Sequence, residues 1–173
     1  MNANTQQAMG HDIAAKVRKV LMFGYGNPSR GDDAVGPLLL DRLQSEPSEQ
    51  VEYLTDFQLQ VEHALDLQQR DLVLFADASI SSSAPFGFTR LSPLRDHSYT
   101  THAMHPASVL LVYQEIFGHA PPPAFLLSIR GERFELGEAL SSAASENLAA
   151  ALDFARSLFF RAELSFWVAQ SKP

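Results

Sequence analysis

The chain has 173 residues and a mass of 19.1 kDa, the size of one ordinary domain. It carries 13 Lys and Arg against 20 Asp and Glu, and its net charge of −7 is the wrong sign for a general nucleic-acid-binding protein or for docking on an anionic membrane. It contains no cysteine, which excludes disulfides, thiolate nucleophiles, Cys-bound zinc and iron–sulfur clusters, so a metal ion would have to be held by His, Asp or Glu.

The N-terminal segment is polar and has no basic region followed by an apolar stretch, so we expect no signal peptide. No apolar run approaches the roughly 20 residues of a membrane span. We therefore expect a cytoplasmic protein with a flexible tail over residues 1–14 and a single domain over residues 15–173.

Strands and helices alternate along the rest of the chain. Apolar, β-rich runs predict strands over 17–25, 51–55, 72–76, 86–91 and 124–129, and apolar residues at helical spacing predict helices over 35–43, 61–69, 106–117 and 141–160. This order predicts an α/β protein, a three-layer α/β/α sandwich around a twisted, mostly parallel sheet of about five strands. The tail after Glu163 has no clear pattern. Four aromatic residues lie near the C-terminus, and we expect them to pack in the core rather than form a docking patch for the substrate: Phe159, Phe160, Phe166 and Trp167.

The loop after the first predicted strand begins like a dinucleotide-binding turn, Gly24-x-Gly26. However, Ser29 stands where the third glycine belongs, and the carboxylates of Asp32 and Asp33 would repel a phosphate at the start of the next helix. The chain also lacks the Gly-Lys-Ser/Thr sequence of a P-loop, so we expect no nucleotide cofactor. The two aspartates could instead cap the helix, and one could do so while the other faces a cleft.

Two further residues could join Asp33 at the same edge of the sheet. Asp77 directly follows the strand 72–76, and ligands of such sheets bind beyond the carboxyl ends of the strands. His102 precedes a predicted helix. Asp77 alone could be a turn residue and His102 alone an exposed or capping one. Together the three offer two hard oxygens and an imidazole, a set that suits divalent ions such as Ni, Zn or Mn, with His105 as a fallback ligand.

Other catalytic arrangements find little support. The chain has no His-Glu-x-x-His zinc motif, no Gly-x-Ser-x-Gly elbow and no Asp-Thr-Gly or Asp-Ser-Gly sequence, although a Ser-His-Asp triad stays open because geometry defines it. The remaining histidines have no evident partners, and we expect them at the surface: His11, His63, His97 and His119.

Three blocks of the sequence, in their order and separation, resemble the hydrogenase maturation proteases. The blocks are Gly24-x-Gly26-Asn27-Pro28-x-x-Gly31-Asp32-Asp33-x-x-Gly36, the strand end Asp77-Ala78, and Thr101-His102-Ala-Met-x-Pro106. A later stretch, from Ile129-x-Gly131 to Leu140-Ser141, is similar to the same family. The resemblance extends from about Val17 to about Ala155, nearly the whole chain.

The resemblance implies a cytoplasmic endopeptidase with a phosphorylase/hydrolase-like α/β/α fold. Members of this family remove a short C-terminal extension from the precursor of a nickel–iron hydrogenase large subunit after the metal centre has been assembled. The metal-binding positions of the family map onto Asp33, Asp77 and His102, and we expect Asp33 and Asp77 to be catalytic as well. Many relatives carry a small polar residue in place of His105, which leaves open a second imidazole near the metal.

A segment in the middle of the chain bears on the substrate. Asp56-Phe-Gln-Leu-Gln-Val-Glu62 resembles the version found in proteases that serve soluble, bidirectional-type hydrogenases. We expect Asn27, Asp32 and Asp56 to contact the substrate, and we expect the protein to act as a monomer on the large-subunit precursor.

Three mechanisms are compatible with these residues. The carboxylates and His102 could contact nickel already present in the substrate, so that the metal is a recognition signal. Alternatively, a metal ion could lower the pKa of a bound water, or Asp33 or Asp77 could be the general base of an aspartic-type peptidase. The same residues would also suit a non-catalytic, nickel-responsive chaperone of the large subunit, and Gly24-x-Gly26 leaves a nucleotide- or sugar-binding domain as a third hypothesis.

Overall fold

A computed structural model describes residues 18–46, 48–95 and 104–172. Within these ranges five strands form one sheet: β1 (Val20–Tyr25), β2 (Val51–Asp56), β3 (Leu72–Ser79), β4 (Phe86–Arg90) and β5 (Ala124–Arg130). The α-helices are α1 (Val35–Gln44), α2 (Pro106–Phe117), α3 (Ser142–Phe160) and α4 (Leu164–Gln170), and 3₁₀ helices cover Gly31–Ala34 and Val61–Leu67. The predicted tail over residues 1–14 lies outside the described residues.

The sheet has the strand order β2-β1-β3-β5-β4. All its pairings are parallel except that of β4, which runs antiparallel to β5 at one edge. The chain passes from β1 to β2 on one side and then crosses to β3 on the other side of β1. Such a reversal opens a crevice at the carboxyl ends of the two central strands, where α/β proteins of this kind bind ligands.

Both faces of the sheet are covered, which confirms the predicted α/β/α sandwich. Successive side chains of a strand point to opposite faces, so β1 supplies two separate cores. Val20 and Met22 belong to the cluster that includes residues of α1 and α3, whereas Leu21 and Phe23 belong to the cluster that includes residues of α2. Burial on both faces explains why β1 is apolar at nearly every position.

The structure departs from the predicted elements in two places. The segment predicted as a helix over 61–69 is a 3₁₀ helix that ends at Leu67, and Gln69 then adopts a φ of 58°. The tail after Glu163, which showed no clear pattern, contains α4, because seven residues are too few for a helical period to be recognised. Trp167 of α4 is fully buried, and its indole donates to the Leu158 carbonyl oxygen at 3.0 Å.

The core packing expected for the C-terminal aromatic residues is confirmed for Trp167 and for Phe159, which is 7% exposed. It is wrong for Phe160, which is 90% exposed. Among the described residues, no helix combines the length and the apolar character needed to cross a membrane.

Candidate functional site

The loop after β1 folds back on itself at the crevice. Gly26 has a φ of 139°, a backbone conformation that residues other than glycine rarely adopt. A Cβ atom at this position would also collide with the carbonyl oxygen of Asp33. A Cβ atom on Gly24 would likewise collide with the carbonyl oxygen of Gly36 at the start of α1. These glycines let the loop and the first turn of α1 approach the end of β1, and this brings Asp33 to the crevice.

Asp33 is held by the backbone of the same loop. Its Oδ2 accepts a hydrogen bond of 2.7 Å from the Asn27 amide N–H. The Asn27 side chain is engaged within the turn, where its Oδ1 accepts from the Ser29 amide at 2.9 Å. The hydrogen bond from Asn27 fixes the position of the carboxylate, and the residue as a whole is half-buried.

Asp77 lies in the neighbouring strand, beside a tyrosine. Gly24 of β1 pairs with Ala76 of β3, so the residues that follow, Tyr25 and Asp77, lie side by side on the same face of the sheet. The Tyr25 hydroxyl donates a hydrogen bond to the Asp77 carboxylate. The Ala78 amide donates another to Asp77 Oδ1 at 2.7 Å.

The protonation of Asp77 is set by this environment. Burial is the largest influence on its pKa, and the negative charge of Asp33 acts in the same direction. The bonds from Ala78 and Tyr25 oppose them, and the net effect raises the pKa of Asp77 to about 7. Burial and the nearby Asp77 hold the pKa of Tyr25 well above its usual range, so the phenol is a neutral donor. A carboxyl group that gains and loses a proton near neutral pH suits acid–base chemistry.

The structure therefore brings Asp33 and Asp77 together, as the sequence suggested. The third predicted metal ligand, His102, lies outside the described residues. Within residues 18–46, 48–95 and 104–172, no three side chains of His, Asp or Glu gather closely enough to hold a metal ion. His105 is exposed at the N-terminus of α2, where its Nδ1 accepts from the Ala107 amide at 3.1 Å.

Asp32 has a different role from its neighbour. It is fully buried, and its carboxylate accepts hydrogen bonds from the amides of Glu132, Arg133 and Ser141 at 2.7–3.0 Å and from the Ser141 hydroxyl at 2.9 Å. Desolvation alone would raise the pKa of Asp32, but these hydrogen bonds hold it below the usual range. We therefore assign Asp32 a structural role in place of the predicted contact with substrate.

The expectation that one of these aspartates caps the following helix is wrong. Neither the first 3₁₀ helix nor α1 has a side-chain cap. Asp32 instead ties its loop to the segment between β5 and α3. Ser141 is the N-cap of α3, and its hydroxyl accepts from the Ala144 amide at 3.0 Å.

Beside the crevice lies an open groove with a volume of about 490 Å³. The loop after β1, helix α1 and the end of β2 contribute its lining residues: Gly26, Pro28, Pro37, Leu38, Asp41, Thr55, Asp56 and Phe57. Gly26 joins the two features, because it lines the groove and touches Asp33. The Phe57 side chain is 64% exposed and offers an apolar wall.

Two side chains of this region were not predicted from the sequence. Tyr25 lies between Gly24 and Gly26 in the sequence. Its position at the end of a buried strand was the one feature that could have placed it near Asp77. His63, expected at the surface without a partner, is only 13% exposed and lies 3.4 Å from the Asp56 carboxylate. Both contacts join residues on different elements, and the local sequence carries no sign of such pairs.

The three-layer sandwich is also the fold of solved hydrogenase maturation proteases. The match to a nickel–iron hydrogenase maturation protease, HycI from Thermococcus kodakarensis, has a TM-score of 0.67 and 22% identity over 86% of this chain and 96% of that chain. The hydrogenase maturating endopeptidase HybD from Escherichia coli matches with a TM-score of 0.64 and 24% identity over 81% and 91%.

The predicted resemblance is thus confirmed at the level of the fold. A hydrogenase 2 maturation peptidase from a thaumarchaeon matches with a TM-score of 0.59 and 20% identity over 81% of this chain and 97% of that chain. No protein-family model matches the chain, and no curated protein matches it in sequence.

Proposed function

We propose that the chain is an endopeptidase that removes the C-terminal extension of a nickel–iron hydrogenase large-subunit precursor after its metal centre has been assembled. The observation that carries this proposal is the pairing of Asp33 and Asp77 in the crevice of a fold shared with hydrogenase maturation proteases. We further propose that the protein is cytoplasmic and acts as a monomer.

The two carboxylates suit both a proton-transfer role and a metal-recognition role. Asp33 keeps a fixed orientation through the Asn27 amide, and Asp77 can hold or release a proton near neutral pH. A poorly solvated carboxyl group beside a second carboxylate also favours a bound cation, and oxygen and imidazole donors suit nickel. We propose that Asp33, Asp77 and His102 contact nickel carried by the substrate, so that only a loaded precursor is cut.

The groove is a suitable binding site for the part of the substrate chain that adjoins the cleavage site. Gly26 connects it to the Asp33 loop, and Asp56 and Phe57 supply one charged and one apolar wall. We propose that the substrate chain lies in this groove and contacts Asp56 and the loop at Asn27. The side chain of Asn27 supports the turn, so its part in binding is through the shape of the loop.

Intact-mass spectrometry of a purified large-subunit precursor tests this proposal. The precursor is measured with and without its nickel–iron centre, before and after the protein is added. Loss of a defined C-terminal peptide from the loaded form alone is the expected result. Equal cleavage of both forms would contradict recognition through nickel, and a stable complex without any mass change would indicate the chaperone function instead.

A further inference from the structure

His63 is held in a single orientation near the end of β2. Its side chain is 13% exposed, and its ring packs edge-on against Phe23, with 4.7 Å between the ring centroids. Nδ1 accepts a hydrogen bond of 2.9 Å from the Gln60 amide. Because Nδ1 accepts, the proton of the neutral ring is on Nε2.

The other ring nitrogen approaches Asp56. Nε2 of His63 lies 3.4 Å from Oδ2 of Asp56, and the Phe57 amide donates to Oδ1 at 2.6 Å. Each oxygen of the carboxylate thus has a nitrogen nearby, one from the His63 ring and one from the adjoining backbone. The Asp56 side chain is still 32% exposed, so it can be reached from the groove.

Asp56 is also connected to the candidate site through its backbone. Its carbonyl oxygen accepts from the Gly26 amide at 3.2 Å, at the start of the loop that carries Asp33. A carboxylate that is already fixed loses less conformational entropy when a ligand binds than a freely rotating one. His63 therefore pre-organises the one charged wall that the end of β2 presents to the groove.

We propose that His63 is a positioning residue that fixes the Asp56 carboxylate and thereby sets how tightly the groove binds the substrate peptide. This inference rests on the proposed function for the identity of the substrate. His63 itself makes no contact with the peptide, and its effect is on binding rather than on the chemical step.

Two substitutions separate this role from a purely structural one. In His63→Gln, the amide nitrogen can reach toward Asp56, but the acceptor for the Gln60 amide is lost. In His63→Asn, the amide oxygen can still accept from Gln60, but the donor to Asp56 is lost. Positioning of Asp56 predicts that His63→Asn raises KM for the loaded precursor about tenfold with little change in kcat, and that His63→Gln restores most of the loss.

The reverse order, with His63→Asn close to wild type and His63→Gln impaired, would show that His63 only supports its 3₁₀ helix and would overturn the proposal. Asp56→Asn should raise KM by a similar factor. The double variant with His63→Asn should then be no worse than Asp56→Asn alone, because one interaction is removed twice. Fully additive losses would contradict the proposal.

A second measurement does not depend on cleavage. Nitrogen-15 NMR of the histidine rings should show His63 as a single tautomer protonated on Nε2, with this signal shifted in Asp56→Asn. If the wild type forms a complex with the loaded precursor but never cuts it, the proposed protease function fails, and the Kd of that complex replaces KM in the comparison. Mixed tautomers, or a signal unchanged in Asp56→Asn, would overturn the role of His63 in either case.

Discussion

Asp33 and Asp77 lie close enough for their charges to interact, although they are 44 positions apart in the sequence. Burial and the charge of Asp33 together raise the pKa of Asp77 to about 7. The parallel pairing of β1 with β3 makes this possible, because the loop after one strand and the end of the other meet at the same edge.

Asp33→Asn should lower precursor cleavage at least about 100-fold, the scale expected for loss of a general acid–base group. The amide oxygen of Asn can still accept from the Asn27 amide, so the urea-unfolding midpoint should change little. Asp153→Asn on α3, whose side chain is 78% exposed, is the matched control and should cleave normally. Full cleavage by Asp33→Asn under both nickel-limited and nickel-replete conditions would contradict the assignment.

Asp77→Asn should change how stability depends on pH. The folded-state pKa of Asp77 is raised from 3.8 to about 7, so the folded state binds more protons than the unfolded state between these values. The wild type should therefore lose stability as the pH rises from about 4 to about 7, whereas the variant should not. Discounted for the partial exposure of Asp77, the expected relative change is about 2 kcal/mol. Urea unfolding at pH 4 and pH 8 with a chelator present measures it, and parallel curves would contradict the prediction.

Tyr25→Phe should move the titration of Asp77 to higher pH. The Tyr25 hydroxyl stabilises the ionised carboxylate, and phenylalanine keeps the ring but removes this donor. Carbon-13 NMR of the aspartate carboxyl groups would follow the midpoint directly. Tyr53→Phe, at a tyrosine on β2, serves as the control and should leave the midpoint in place. A downward shift in Tyr25→Phe would show that the hydroxyl does not donate to Asp77.

Asp32→Asn should destabilise the protein by about 3 kcal/mol. In the wild type, backbone N–H groups donate to both carboxylate oxygens, and the NH₂ group that replaces one oxygen in asparagine cannot accept a hydrogen bond. The hydrogen bonds depress the pKa of Asp32 in the folded state, so its contribution is present at neutral pH and is lost as the pH falls below about 4. Thermal unfolding at pH 7 and pH 3 measures both effects. A variant as stable as the wild type at pH 7 would refute the anchoring role.

Gly26→Ala should disrupt the site far more than Gly118→Ala. Both glycines have positive φ, at 139° and 69°, so both substitutions introduce backbone strain. At Gly118 nothing lies within 4 Å of the added methyl group, whereas at Gly26 it would collide with the Asp33 carbonyl oxygen. We expect Gly118→Ala to cost about 1 kcal/mol and to cleave normally, and Gly26→Ala to lose cleavage. Equal effects of the two substitutions on stability and cleavage would show that the close approach at Gly26 is unimportant.

The three-layer architecture could be predicted from the sequence, because a buried parallel strand is recognisable from its continuous apolar run. The end of such a strand lies at the carboxyl edge of the sheet, and this placed Asp33 and Asp77 near each other. Asp32 was indistinguishable from Asp33 by type and position. The partners that separate them, at Glu132, Arg133 and Ser141, are 100 to 109 residues further along the chain.

His63 and α4 were missed for a related reason. The role of His63 depends on its contacts with Asp56 and Phe23, which lie on other elements. Helix α4 is too short to show a period, and Trp167 defines it through packing against the distant Phe88 and Phe125. Tertiary contacts of this kind leave no mark on the neighbouring sequence.

The hydrogen bonds that Asp32 accepts also determine when the site can first form during synthesis. The ribosome makes the Asp33 loop early, but the amides that secure its neighbour belong to residues 132–141 and emerge about a hundred residues later. At translation rates of about 5–20 residues per second, these amides are made about 5–20 seconds after the loop. A nascent chain or a fragment that stops before residue 132 should therefore have no assembled crevice, so that any cleavage begins only when most of the domain has been made.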